Sequence, residues 1–108
     1  MFLLQPNPTF KLDVTIPTID GDRVIEFEFK HKGRKVLKAF FESLGEGDTA
    51  RNDCDALSEL ISGWSKVDAP YSVEALDQLL DNYPLAAKAI FEAYNKGLFE
   101  GKEKNSQR

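Results

Sequence analysis

The chain has 108 residues, of which 42% are hydrophobic and 30% charged, a composition typical of a globular domain and not of a disordered chain. The formal net charge of −4 argues against a general nucleic-acid binder, which is normally basic. One Cys and one His exclude an internal disulfide and a zinc site with the usual four Cys/His ligands. No apolar run approaches the roughly 20 residues of a membrane span. We therefore expect a single domain in a reducing compartment, with neither nucleic acid nor membrane as a partner.

Two segments near the start predict a β-hairpin over about residues 9–31. Apolar and polar residues alternate over residues 9–16 and again over residues 25–31, and this period of two is typical of half-buried strands. Between them, Asp20-Gly21 is a strong signal for a type I′ turn. The register fixed by that turn places three apolar pairs on one face: Ile16 with Ile25, Val14 with Phe27, and Leu12 with Phe29. Because a lone hairpin is marginal in water, this face must pack on other elements.

Four helices are predicted after the hairpin, over residues 34–45, 49–65, 72–82 and 84–98. The first has a wide apolar stripe with helical spacing, formed by Val36, Leu37, Phe40, Phe41 and Leu44. Ser72 is a suitable N-cap for the third helix, and Pro84 fits the first turn of the fourth. The predicted fold class is α+β, with residues 1–98 as one domain and residues 99–108 as a disordered polar tail.

The reactive side chains do not form a catalytic pattern. Cys54 lies on an apolar helix face, where a buried structural thiol is expected. His31 is placed opposite Phe10 in the predicted hairpin register, where it would cap the apolar face. Four carboxylates near the second helix neither share one face nor follow the EF-hand pattern: Asp48, Asp53, Asp55 and Glu59. We therefore expect no catalytic, cofactor-binding or metal-binding residues, and we expect an interaction protein in preference to an enzyme.

A basic run covers residues 30–35 and continues to Lys38. Two interpretations stay open for it. The run is either a solvated helix entrance or a contact patch, built on Lys32, Arg34 and Lys35, for an acidic partner or a second subunit. Cations near a helix N-terminus interact unfavourably with the helix dipole, so the run slightly destabilises the helix without an evident structural gain. This favours keeping the contact patch as an interpretation.

Residues 63–94 contain an ordered set of glycine, aromatic and proline positions. In chain order these are Gly63, Trp64, Val67, Asp68, Pro70, Tyr71, Tyr83 and Pro84. Together with the hairpin, this order resembles the tail assembly chaperones of long-tailed bacteriophages, and the resemblance extends over about residues 10–98. The positions are interpreted first as structural, with Trp64 as a core residue and the prolines as helix breakers.

The resemblance implies a function without catalysis or cofactor. Proteins of this family bind the tape measure protein in the cytoplasm of the infected bacterium and keep it soluble until tail-tube subunits polymerise around it. They are absent from the mature tail, and oligomers are known among them, so self-association is expected. The helices carry more large apolar side chains than one small core needs. We expect some of these residues in subunit or client contacts: Phe40, Phe41, Phe91 and Leu98.

The resemblance also implies a longer form made by ribosomal frameshifting. Gly101-Lys102 can be encoded by a slippery heptamer, and we hypothesise that a longer form diverges there and reaches the tail tube protein through a second domain. Two other classes stay open. One is a structural neck or tail component that stays in the virion, and the other is a small enzyme built on the carboxylates.

Overall fold

The fold consists of a three-stranded antiparallel sheet and four helices in a computed structural model that describes residues 2–45 and 52–99. The elements in chain order are β1 (Thr9–Thr18), β2 (Gly21–Lys30), α1 (Arg34–Ser43), α2 (Asp53–Ser58), β3 (Ile61–Ser65), α3 (Val73–Asn82) and α4 (Ala86–Phe99). The strand order is β1-β2-β3, so β2 is the central strand. This arrangement confirms the predicted α+β class.

The hairpin forms where the alternation predicts it, but the predicted register was wrong by two residues. Thr18 pairs with Gly21, so Ile19 and Asp20 are the turn residues. The positive φ of 108° falls on Gly21, after the turn, whereas a type I′ turn needs positive φ at both central positions. The Thr18 hydroxyl accepts from the Asp20 amide (3.2 Å) and donates to the Gly21 carbonyl (2.5 Å).

A slip of two residues leaves the apolar side chains on the predicted face, because side chains alternate with a period of two. The observed pairs are Phe10 with Phe29, Leu12 with Phe27, and Val14 with Ile25. The prediction of the buried face was therefore independent of the error in the turn.

The second predicted helix, over residues 49–65, is wrong in its second half. Helix α2 ends at Ser58, and residues 61–65 form strand β3, which pairs antiparallel with β2. A bulge at Ser62 brings Ile61 opposite Phe29 and Trp64 opposite Phe27. The same apolar residues that suggest a helical stripe therefore complete the sheet, since pairing with β2 outweighs the local periodicity. Asp48 and the predicted start of this helix lie outside the described residues.

The other three predicted helices are confirmed to within two residues at each end. The Ser72 hydroxyl caps α3 by accepting from the Ala75 amide (3.0 Å). Pro84 lies in the turn before α4, where the Ala86 amide donates to the Tyr83 carbonyl (2.9 Å). Helix α4 ends at Phe99, and the rest of the predicted tail, residues 100–108, lies outside the described residues.

One hydrophobic cluster joins the sheet to the helices. Phe27 and Phe29 of β2 have no exposed surface, and their rings stack with centroids 5.6 Å apart. The helices contribute further fully buried side chains to the same cluster, which are Leu57 of α2, Leu76 of α3, and Ile90 and Tyr94 of α4. The inner face of the sheet is therefore kept dry by helices contributed from three parts of the chain.

Helix α4 packs closely on β1 because it carries a glycine at the contact. A Cβ atom built on Gly97 would lie 2.5 Å from Cδ1 of Leu12, so a side chain at position 97 would force either the Leu12 side chain or the helix to shift. Three residues earlier, the Tyr94 hydroxyl donates to the Lys30 carbonyl (3.0 Å), and its ring meets Phe29 at 5.2 Å. Tyr94 thus ties α4 to the end of the central strand.

We predict that Phe29→Ala lowers the free energy of unfolding by about 3–5 kcal/mol, because a fully buried aromatic leaves a cavity when truncated. Urea denaturation followed by circular dichroism measures this loss. The matched control is Val24→Ala on the same strand, where the side chain is 44% exposed and the change should be small. A loss below about 1 kcal/mol at Phe29 would show that the hairpin is peripheral to the core.

We also predict a stability decline at high pH that depends on Tyr94. Burial raises the pKa of Tyr94 to about 12, above its ordinary value of 10.0. The unfolded chain therefore loses this proton first, so the stability that Tyr94 contributes is complete below about pH 10 and is lost as the pH rises to about 12. Unfolding measured across this window should show a shallower decline in Tyr94→Phe than in the wild type. Identical declines would contradict the assignment.

Candidate functional site

The connection between β3 and α3 is closed by Trp64. Its indole Nε1 donates to the Ala69 carbonyl (2.8 Å), five residues along the chain. Its ring packs in T-shaped contacts with Tyr71 and Phe27, with centroids 5.2 Å and 6.1 Å apart. Lys66, inside the loop, has a positive φ of 69°. The half-buried Trp64 packs against the core, so its contacts in the structure are internal to the fold.

The other positions of the resemblance lie in strand β3, in this loop and in the next turn. Val67 and Tyr71 are half-buried against the core, whereas Asp68 and Pro70 are exposed. Gly63 lies opposite Glu28 on the outer face of the sheet. Tyr83 and Pro84 are exposed in the turn between α3 and α4. The structure therefore places Gly63 in the sheet and the other residues in the two connections that lead into α3 and α4, and does not gather them into one pocket.

Cys54 is buried between α2 and α3, as the sequence predicts. Its thiol donates to the Val73 carbonyl (3.7 Å). Burial, and after it the negative charges of Asp77, Asp55 and Glu74, raise the pKa of the Cys54 thiol. A thiol that stays protonated is a weak nucleophile, so Cys54 is suited to packing.

His31 belongs to a different part of the molecule. It follows the end of β2, where its ring meets Phe10 edge-on at 6.5 Å, and its amide donates to the Pro8 carbonyl (2.9 Å). His31 is exposed, so it borders the apolar face without being buried in it. The histidine and the cysteine therefore have separate structural surroundings.

An open acidic groove of about 210 Å³ lies between α2 and α3. Its lining consists of Asn52, Asp53, Cys54, Asp77, Leu80 and Asp81. Among the described residues, no group of His, Cys, Asp and Glu side chains is arranged to hold a metal ion. Asp53 was recognised from the sequence as a carboxylate near the second helix, whereas Asp77 and Asp81 of α3, which lie one helical turn apart along the groove, were missed.

Asn52 was also missed in the sequence. Its side-chain oxygen accepts from the amides of Cys54 (2.8 Å) and Asp55 (3.4 Å), so it caps α2. An asparagine followed by acidic residues in the first turn is a recognised helix-start signal. This signal would have moved the predicted helix start from residue 49 to residue 53.

Helix α1 divides its large side chains between the core and the surface. Phe40 is 5% exposed and belongs to the core, whereas Phe41 is 37% exposed and Val36 54%. Arg34 and Lys35 are exposed in the first turn, after a Gly33 N-cap that offers no side-chain hydrogen bond. Of the predicted surface contacts on α1, Phe41 and the cations are therefore accessible and Phe40 is not.

Helix α4 presents a second apolar surface, which we call the α4 flank. It is formed by Phe91 and Leu98, both half-buried, and by Phe99, which is 65% exposed. Phe91 and Leu98 are seven residues apart, so they lie on one side of the helix. The α4 flank borders the core and faces solvent with its outer half.

A model of the family described as phage tail assembly chaperone matches residues 1–105 of the chain. Searches of curated proteins and of solved structures found no match. No helix in the part of the chain that the structure describes has the length and apolar character needed to cross a membrane.

We predict that Trp64→Phe lowers the free energy of unfolding by about 0.5–1.5 kcal/mol, because phenylalanine keeps the ring packing but loses the hydrogen bond to Ala69. Thermal unfolding followed by circular dichroism measures the change. Tyr71→Phe is the control, since it keeps the ring contact with Trp64, and it should be nearly neutral. Equal effects of the two substitutions would contradict a role for the indole hydrogen bond.

Proposed function

Because this chain belongs to the phage tail assembly chaperone family, we propose that it binds the tape measure protein and keeps it soluble while the tail tube assembles. The match of the family model to residues 1–105 is the observation that carries this proposal. The expected site of action is the cytoplasm of the infected bacterium. The protein would leave before the tail is complete.

The α4 flank is the surface proposed for the client. The tape measure protein is expected to be long and largely helical, and a helical client binds by laying its apolar face along an apolar groove or flank. Phe91 and Leu98 offer such a flank already packed at its base, and Phe99 extends it outward. Half-buried anchors lose little conformational freedom on binding, which lowers the cost of association.

The proposed action is binding without catalysis. The Cys54 thiol is buried and its pKa is raised, so it is a weak nucleophile at neutral pH. His31 lies at the end of the hairpin against Phe10, away from Cys54. We further propose that copies of the chain self-associate. A frameshifted form that reaches the tail tube protein is an expectation about residues beyond Phe99, which the structure does not describe.

We predict that Leu98→Asp abolishes capture of the tape measure protein. A buried carboxylate cannot be accommodated in an apolar helix interface. The measurement is co-expression of the full chain with the tape measure protein, followed by the fraction of the latter that is soluble and co-purifies. Leu85→Asp is the matched control, since Leu85 is 53% exposed and lies outside the α4 flank, and it should retain capture.

Circular dichroism of both variants separates a lost surface from a lost fold. Equal capture by folded Leu98→Asp and by the wild type would exclude the α4 flank. Absence of capture by the wild-type chain would contradict the proposed function itself. Mass spectrometry of purified phage particles tests the last step, because a structural component would be retained in the virion and a chaperone would not.

A further inference from the structure

Helix α1 carries an exposed basic and apolar face. Arg34, Lys38 and Phe41 lie at positions i, i+4 and i+7, so they share one side of the helix. Within residues 2–45 and 52–99, neither cation forms an ion pair. We call these three residues the α1 face.

Helix α3 carries an exposed face of the opposite charge. Val73, Asp77 and Asp81 lie at positions i, i+4 and i+8, and all three are exposed. Neither carboxylate forms an ion pair within the part of the chain that the structure describes. We call these residues the α3 face; its two carboxylates also line the acidic groove beside Asp53.

We propose that the α1 face of one copy docks on the α3 face of a second copy, with the two helices antiparallel. Along α1 the order is two cations and then an apolar residue, whereas along α3 it is an apolar residue and then two carboxylates. In the antiparallel arrangement Phe41 meets Val73 of the second copy. Lys38 then meets Asp77, and Arg34 meets Asp81.

The spacing of the two faces supports this pairing. At a rise of about 1.5 Å per residue, the α1 face is about 10.5 Å long and the α3 face about 12 Å. The difference is small compared with the reach of lysine and arginine side chains. A parallel arrangement would instead place Phe41 beside a carboxylate, so it would leave an apolar ring against a charge.

The helix dipoles support the same orientation. Arg34 is the first residue of α1, which has no acidic residue in its first turn, and Asp81 lies in the last turn of α3, which has no basic residue there. Each charge opposes the dipole of its own helix. In the antiparallel contact these two charges meet, so each offsets the unfavourable position of the other.

The contact gives a geometry to the self-association that forms part of the proposed function, and it does not depend on the tape measure protein. It uses α1 and α3, whereas the proposed client surface lies on α4. The two interactions are therefore separable by mutation.

The test is a pair of charge-reversed variants of the full chain. Arg34→Glu/Lys38→Glu makes the α1 face acidic, and Asp77→Lys/Asp81→Lys makes the α3 face basic. In either variant alone, two attractions become two repulsions, and we expect the dissociation constant of self-association to rise about tenfold or more. Sedimentation velocity at low ionic strength measures it, and added salt should weaken the wild-type association.

Mixing the two variants is the decisive step. An acidic α1 face then meets a basic α3 face, and the two unaltered faces meet each other, so association should return toward the wild-type level. Lys88→Glu/Lys96→Glu on α4 is the matched control for the acidic α1 variant, because it replaces two cations by two carboxylates at exposed positions outside both faces. This control should associate as the wild type does.

Three results would overturn the proposal: a wild-type chain that stays monomeric, reversed variants that still self-associate like the wild type, or a mixture that does not restore association. Capture of the tape measure protein by the reversed variants is measured in parallel. We expect the reversed variants to lose self-association and to retain capture, because the proposed client surface lies on α4. If they instead self-associate normally but lose capture, the proposed client surface is wrong.

Discussion

The burial of Phe27 and Phe29 in the central strand is the constraint on which the rest of the structure depends. Neither ring has exposed surface, although a three-stranded sheet by itself would leave both wet on one face. Strands β1 and β3 supply neighbours on each side, Tyr94 of α4 packs on Phe29, and α2 and α3 add buried side chains to the same cluster. Segments far apart in the chain are thus held in place by two side chains on one strand.

The features that sequence reasoning predicted are those determined locally. Alternation of apolar residues predicted the buried face of the hairpin, and Ser72 predicted the start of α3. The register depended on which residues of the turn take positive φ, and this was misjudged because Gly21 takes it after the turn rather than within it. Strand β3 was missed because Ile61 and Trp64 fit a helical period equally well, and their pairing partners lie more than thirty residues away.

For the candidate surfaces, the sequence indicated which residue types could make contacts, but not which of those residues are exposed. Phe40 and Phe41 are adjacent and chemically alike, yet one lies in the core and the other at the surface. Which of them is accessible depends on the rotation of α1 about its axis, and adjacent positions in one helix differ by about 100°. The α3 face was overlooked because a row of exposed carboxylates suggests a binding surface only when a matching basic surface is known. That surface, the α1 face, lies on a different helix.

The tryptophan that closes the β3–α3 connection gives the chain an optical reporter. Trp64 is the single tryptophan of the sequence, and its half-buried ring lies 5.2 Å from Tyr71, close enough to receive excitation energy from it. Tyr71 is followed after one residue by the start of α3, so an event on that helix would alter the surroundings of the indole. The intrinsic fluorescence of Trp64 can therefore report binding at α3 in real time, without a dye label that would disturb so small a surface.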